Sequence, residues 1–525
     1  MVQRKVKAVW EFGDFQTPEE LALEVASSLL QFGVRPISIV EPTCGKGNLL
    51  ISALKVFSQV EKAVGADINS KYLQILQSSI VKEDIVTPVT VYHADFFLMD
   101  WKCIIDKLPE PILIIGNPPW VTSADLGILQ SSNLPEKSNF QGHNGLSALT
   151  GKSNFDISEW MLLQNLEWLQ TKTGTIAMLC KTAVARKVLL AAWKKNTRIT
   201  SAKILQINAK KHFNASVDAC LFIMQLEDSE PTYQCEVYNS IASVKPESEI
   251  GYRNNTAIPN INAYDELSYL LGEDDNYTWR SGVKHDCSKV MELEDRNGIV
   301  FNGDDTALNI EQDYLFPMFK SSDIGNNRVS STNKLMLVTQ KYIGEDTNKI
   351  KEVAPKTWHY LQQNSDALSK RGSCIYKNRP EFSVFGIGDY TFSPWKVAIS
   401  GFYKKLQFAV VGSQKGRPAV FDDTVYFLPC YSNEEAHFIV ELLTSELAKN
   451  FFNSLIFWED KRPITVEILR KLHIGKLARA HNKEDIYLSF ILERGEQTST
   501  EGVKQLRLLE KRQKYKTAKL TKPAG

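Results

Sequence analysis

Asn117-Pro118-Pro119-Trp120 is the segment with the most specific chemistry in this chain of 525 residues. Asn117 offers a side-chain carbonyl oxygen and Pro118 a main-chain one, so two acceptors stand on adjacent residues. That pairing suits an exocyclic aromatic amine such as N6 of adenine, a poor nucleophile because its lone pair is delocalised into the ring. Accepting both N–H bonds polarises the amine and favours a pyramidal nitrogen with an available lone pair. Pro118 and Pro119 restrict the backbone, so the acceptors are held in place before anything binds. Trp120 supplies a flat face for stacking a base taken out of a duplex. The same residues also make a plain Pro-Pro turn closed by a core tryptophan, so their place in the fold matters.

A second motif, Glu41-Pro42-Thr43-Cys44-Gly45-Lys46-Gly47-Asn48, falls between an apolar run and a helical one. Gly45 and Gly47 let the backbone turn tightly and approach a ligand closely. The spacing is neither that of a phosphate-binding P-loop nor the full pyrophosphate fingerprint. A shorter loop suits a ligand without pyrophosphate, such as S-adenosylmethionine. Asp67 ends the next predicted strand, where an acidic residue can accept from both ribose hydroxyls of an adenosyl cofactor. Asp95 ends the third and can accept from the cofactor's adenine amine while a neighbouring aromatic ring packs on its face. Singly, each aspartate also suits a helix cap or a solvated turn. Ligand-type residues at three successive strand ends point to the binding edge of an open α/β sheet.

The elements that must hold these residues follow from periodicity. Strands are predicted at 37–41, 62–68, 88–97, 111–120, 173–180 and 219–226, and helices at 49–57, 71–80, 158–170 and 185–195. Strands alternating with helices specify a parallel, Rossmann-like α/β domain, here 1–240. After it the alternation fades. Residues 241–480 read as an α+β domain, and 481–525 as a helical, basic tail. Residues 121–154, rich in Ser, Asn, Gly and Gln, read as a long functional loop.

Composition narrows the class. The chain is 43% hydrophobic and 23% charged, as in globular proteins. No apolar run approaches the roughly 18–20 residues of a membrane helix, and the N-terminus lacks the apolar core of a signal peptide, so a cytoplasmic location is expected. The formal charge of +1 neither supports nor excludes nucleic acid. The eight cysteines are scattered, without a C-x-x-C pair. His285 and Cys287 lack a second ligand pair at zinc spacing, and no metal site is expected.

Taken in order, the motifs resemble the γ-class, TaqI-like DNA N6-adenine methyltransferases of restriction–modification and related defence systems, over roughly residues 12–228. In that family a TP segment, here Phe15-Gln16-Thr17-Pro18, precedes the glycine loop and the NPP-aromatic motif, and a target-recognition domain follows. The resemblance implies that Phe15, Thr17 and Pro18 contact S-adenosylmethionine together with Glu41, Thr43, Cys44, Gly45 and Gly47. It adds Asp67, Asp95, Phe96, Asn117 and Pro119, with Ile68 against the cofactor's adenine. Asn154-Phe155-Asp156-Ile157 is similar to the family's next motif, near cofactor and active site. Residues 212–226 are similar to the motif that brings a second aromatic to the flipped base, here Phe213, which also fits a plain core position. Trp120 stands where many relatives carry Tyr or Phe. Cys44, where many have Ala or Gly, reads as a small packing residue and not a nucleophile.

Residues 279–293 and 383–405 resemble recognition domains attached to this class. Window 370–417 interleaves basic and aromatic residues, and Lys377, Arg379, Lys396, Lys404, Lys415 and Arg417 are the candidates for phosphate contact. The implied activity is site-specific methylation of a flipped adenine in double-stranded DNA, with the 121–154 loop ordering over the active site. A restriction endonuclease or other defence subunit is expected as a separate chain. Two other readings use the same residues. An RNA or protein N-methyltransferase needs the same acceptors but is usually shorter. A non-catalytic DNA-binding subunit is expected to lose Asn117 or the glycine loop, and both are intact.

Overall fold

The computed structural model describes residues 16–121 and 156–494. Phe15, nearly all of the 121–154 loop, Asn154, Phe155 and the basic tail from 495 onward lie outside them. The chain divides into two compact units, Met1–Asn262 and Ala263–Gly525.

The first unit is built on a ten-stranded sheet. Its parallel half comprises β1 (Ser38–Glu41), β2 (Lys62–Asp67), β3 (Val89–His93), β4 (Ile112–Gly116) and β5 (Gly174–Lys181). The order is β3-β2-β1-β4-β5, with Asp67 beside His93, Glu41 beside Gly65 and Gly116 beside Met178. β1 and β4 are buried along their whole length, which is why Ile112–Gly116 reads as an unbroken apolar run and Ile39–Val40 forms the apolar centre of β1. β3, at the sheet edge, is mostly exposed and stops at His93 rather than running on to Phe97. Asp95 accepts the Phe97 N–H at 2.8 Å and turns the chain there. β6 (Ile199–Ile207) and β7 (Ala219–Leu226) complete the core of the sheet, β7 running antiparallel between β5 and β6.

β6 is absent from the sequence reading. Its Ser, Lys and Gln dilute the apolar signal, and Lys203 in its middle is neutralised by Glu236 of the neighbouring strand. β8 (Gln234–Tyr238), β9 (Ser248–Arg253) and β10 (Thr256–Ile258) extend the sheet. The α/β unit therefore continues past residue 240, the end expected from its sequence.

Seven helices of this unit are α1 (Glu19–Gln31), α2 (Asn48–Val56), α3 (Ser70–Lys82), α4 (Trp101–Ile105), α5 (Ile157–Trp168), α6 (Thr182–Lys194) and α7 (Ala209–Phe213). In α1 the buried residues Leu21, Ala22, Val25, Ala26 and Leu29 recur at helical spacing and form one stripe, packed on α2.

The second unit carries a four-stranded and a six-stranded sheet, antiparallel except for one parallel pairing. It does not end at 480. Residues 484–494 form a helix whose Tyr487 and Arg494 reach into the unit's interior. Among the described residues, no helix is long and apolar enough to cross a membrane.

Candidate active site

Parallel pairing brings the C-terminal ends of β3, β2, β1, β4 and β5 to one edge, where Asp95, Asp67, the glycine loop and the NPPW turn follow the first four. The glycine loop is fastened there by backbone bonds. Cys44 N–H donates to Ala66 O at 2.8 Å, and Gly45 N–H to the Asp67 carboxylate at 2.8 Å. The second oxygen of Asp67 accepts from Asn69 N–H at 2.8 Å. Asp67 is thus a brace for the loop as well as a strand-end carboxylate, a role its spacing alone does not reveal.

Gly47 sits at φ +82° as the residue preceding α2, and a Cβ there would lie 2.2 Å from Leu76 Cδ1. The left-handed backbone favours glycine, and any side chain would also have to displace Leu76. Glu41 accepts the Leu50 N–H at 3.0 Å, in the first turn of α2. Burial pushes the Glu41 carboxyl well above the usual carboxylate range, opposed by the Leu50 N–H and reinforced by nearby Asp67. Cys44 is buried, and burial, Glu41 and Asp67 all drive its thiol far above its ordinary value. A thiol so hard to ionise is a packing group.

Two residues not assigned a role from sequence complete this edge. Asn48 donates its side-chain N–H to Thr17 O at 2.8 Å, and the Gln16 side chain accepts Lys46 N–H at 3.1 Å. Asn117 donates to the Thr17 hydroxyl at 3.3 Å, so the TP segment bridges the glycine loop and the NPPW turn. The only sequence signal for Gln16 and Asn48 is adjacency to motif residues. A small cleft lies between Gln16–Thr17, Glu41, the Thr43–Gly45 turn, Asn48 and Asn117. Beside it Ile68, directly after Asp67, is 50% exposed, unusual for isoleucine.

Trp120 and Phe213 come together from positions 93 residues apart, ring centroids 5.0 Å apart and edge to face. The Trp120 indole N–H donates to Leu179 O at 3.1 Å. Both rings are largely buried. Phe96, directly after Asp95, is buried among Trp101, Trp160 and Trp168. Pro18 precedes the first turn of α1.

In the second unit the basic set divides. Lys377, Arg379, Lys404 and Lys415 are exposed. Lys396 is not. It is 1% exposed, lies near the ring of Phe427 and donates to Ser393 O at 2.6 Å, so it cannot reach a phosphate. Its strand, Trp395–Ser400, is buried on both faces from Lys396 onward, so a lysine there has no solvent side. Arg417 is also committed to structure, donating to the carbonyls of Gln312 and Leu315. His285 is engaged by Cys287 N–H and by Glu292. Among the described residues no group of three or more His, Cys, Asp or Glu side chains is placed to hold a metal.

The groups at the sheet edge fit an adenosyl cofactor: glycine turns that leave room at the strand ends, an exposed apolar residue beside them, and carboxylates along the rim. With the order β3-β2-β1-β4-β5-β7-β6 and its one reversed strand, this sheet defines an S-adenosylmethionine-dependent methyltransferase. A family model for N-6 DNA methylases matches residues 5–250. Type II methyltransferase M.NspV of Nostoc sp. (strain ATCC 29411 / PCC 7524) is 45% identical over 480 residues, which cover 91% of this chain and 99% of that protein. Among solved structures, the Type IIL restriction-modification enzyme MmeI, determined in complex with DNA, superposes with a TM-score of 0.50 at 14% identity over 89% of this chain. The chain spans 65% of the length of MmeI. This chain belongs to the N-6 DNA methylase family. It methylates adenine N6 in DNA, with S-adenosylmethionine as methyl donor.

Proposed function

We propose that the cleft beside the glycine loop holds the cofactor and that the NPPW turn holds the target adenine. The observation that carries this is the Thr17 bridge, which ties Asn117 to the glycine-loop side of a single cleft. Glu41, Thr43, Cys44, Gly45 and Gly47 line or shape the cofactor side, Asp67 faces the ribose and Ile68 the adenine ring. S-adenosylmethionine supplies a methyl group on a sulfonium, already activated for transfer. With its amide N–H directed to Thr17, Asn117 turns its side-chain oxygen to one adenine N–H, and the Pro118 carbonyl accepts the other. Trp120, fixed through Leu179 O, stacks on the base, and Phe213 supports that ring. Preorganised acceptors need no reorganisation as the amine becomes cationic.

The second unit is the target-recognition part, with Lys377, Arg379, Lys404 and Lys415 on phosphates. Lys415 already pairs with Asp295 at 3.2 Å while remaining 82% exposed, and such surface pairs exchange at little cost. The likeness to M.NspV supports a role in modifying specific sites in the bacterial cytoplasm, the matching endonuclease being a separate chain. The test is direct. Purified protein with labelled S-adenosylmethionine should label duplex DNA as N6-methyladenine, and label confined to RNA or protein would sink the reading. Asn117→Ala should cut turnover by ~10²–10³ with cofactor binding retained; near-normal turnover would remove Asn117 from this role.

A further inference from the structure

Lys181 is the last residue of β5, three residues past the point where Gly116 of β4 pairs with Met178. It therefore runs alongside the NPPW turn. Its ammonium lies 2.6 Å from the Asp156 carboxylate, whose side chain is 8% exposed. Asp156 caps α5 with its other oxygen, accepting the Ser158 N–H at 3.1 Å. The next residue, Ile157, donates its N–H to Val121 O at 3.0 Å, and Val121 directly follows Trp120. Leu179, two residues before Lys181, accepts the Trp120 indole N–H. In the same first turn of α5, Lys187 of α6 approaches the buried Glu159 carboxylate at 3.4 Å.

Strand end, helix head and NPPW turn thus form a closed circuit. Trp120 hangs on β5 through Leu179, Val121 hangs on α5 through Ile157, and the two supports are joined by the Lys181–Asp156 pair. The backbone bonds alone let α5 shift relative to β5. The ion pair removes that freedom, because a carboxylate that also caps the helix cannot follow Lys181 without moving the whole first turn. Neither residue need touch adenine or cofactor.

We propose that Lys181 and Asp156 are positioning residues for methyl transfer: their ion pair locks the head of α5 to the end of β5 and so holds Trp120 and Val121 in register with the target base. The inference rests on the reading of Trp120 as the stacking face. Misplacement of a reacting partner by about 1 Å typically costs on the order of 10²-fold in rate.

The test uses Lys181→Gln, Asp156→Asn and the double variant in the full chain. Asparagine keeps the helix cap, and the double variant leaves no lone buried charge, so it is the arm that guards against misfolding. Single-turnover methyl transfer, normalised to sites counted by cofactor binding, should slow about 10- to 100-fold in all three. Cofactor affinity should stay within about twofold, because the pair holds the base side only. The double variant should be no slower than the slower single one, since the pair acts as a unit. Lys181→Arg, which keeps the charge, should restore most of the rate. A merely structural role would lower the fraction of competent sites and leave the rate per site unchanged. A wild-type rate in the double variant, losses that add, or cofactor affinity falling in step with rate would each overturn the inference. Wild-type protein assayed in parallel separates the two claims, because absence of N6-methyladenine from its product indicts the functional reading instead.

Discussion

Lys396 shows how far a residue's type can diverge from its place. Its ammonium is buried beside Phe427, and burial lowers its pKa to about 7. In the unfolded chain a lysine titrates near ~10.4. Between pH 7 and about 10.4 the unfolded chain therefore binds the extra proton, and stability rises with pH across that window. Below pH 7 both states are protonated and the penalty is constant. Lys396→Met keeps the length and removes the charge. It should raise stability at pH 7 by an amount on the order of a few kcal/mol and flatten the pH dependence between 7 and 10. Urea unfolding at several pH values checks this, and unchanged slopes would show that Lys396 finds a charge partner on folding. Because its side chain is buried, Lys396→Met should leave DNA affinity unaltered, unlike loss of Lys377 or Arg379. Cys44 is the opposite case: its expected role as a small packing residue agrees with a thiol kept un-ionised by burial.

At the scale of the element, the glycine loop and the two strands beside it carry the site. Gly47 and Gly33 have nearly the same backbone, φ +82° and +81°, but a Cβ at Gly33 meets nothing within 4 Å while one at Gly47 strikes Leu76. Gly33→Ala should cost only the strain of the left-handed conformation, roughly 1–2 kcal/mol, and leave cofactor affinity intact. Gly47→Ala should cost more and weaken cofactor binding at least tenfold, because the loop must shift from the strand ends. Thermal melts with cofactor titration on both variants decide it, and equal losses would mean the contact with Leu76 relaxes freely. Elements with a strong period were legible: β1, β2, β4, β5, β7, α5 and α6 fall within a few residues of their expected places. β6 was not, because a strand whose central lysine is satisfied by a neighbouring strand looks polar until that neighbour is known.

Across the molecule, the boundaries moved most. Arg494 closes the second unit. Its guanidinium pairs with Glu435, lies 4.1 Å from the Tyr277 ring centroid and donates to Pro429 O at 2.8 Å. Glu435 is 2% exposed, and Arg494 is the cation that pairs with it. Arg494→Ala should destabilise the unit by about 3 kcal/mol, the usual cost of stranding a buried charge, and adding Glu435→Gln should recover much of it. Urea unfolding followed by tryptophan fluorescence would measure both. If the single variant lost nothing, the 484–494 helix would be a surface appendage, as expected for a tail beginning at 481. In this structure it is part of the fold.

By itself the sequence determined what a local pattern can encode. Periodicity set the alternating α/β order, and the residue types of EPTCGKGN and NPPW set the chemistry, because a glycine turn or a pair of preorganised acceptors is a property of a few adjacent residues. It also brought Trp120 and Phe213 forward as a pair. Tertiary structure alone decided which of those groups meet. That Asp67 braces Gly45, that Thr17 joins Asn117 to the loop, and that Lys181 reaches Asp156 depend on strand register, set by core packing over the whole sheet. Burial is likewise a collective property. Lys396 and Lys404 look alike in a basic window, and only their places in the fold, one inside a buried strand and the other in the exposed turn after it, separate an interior amine from one able to meet DNA.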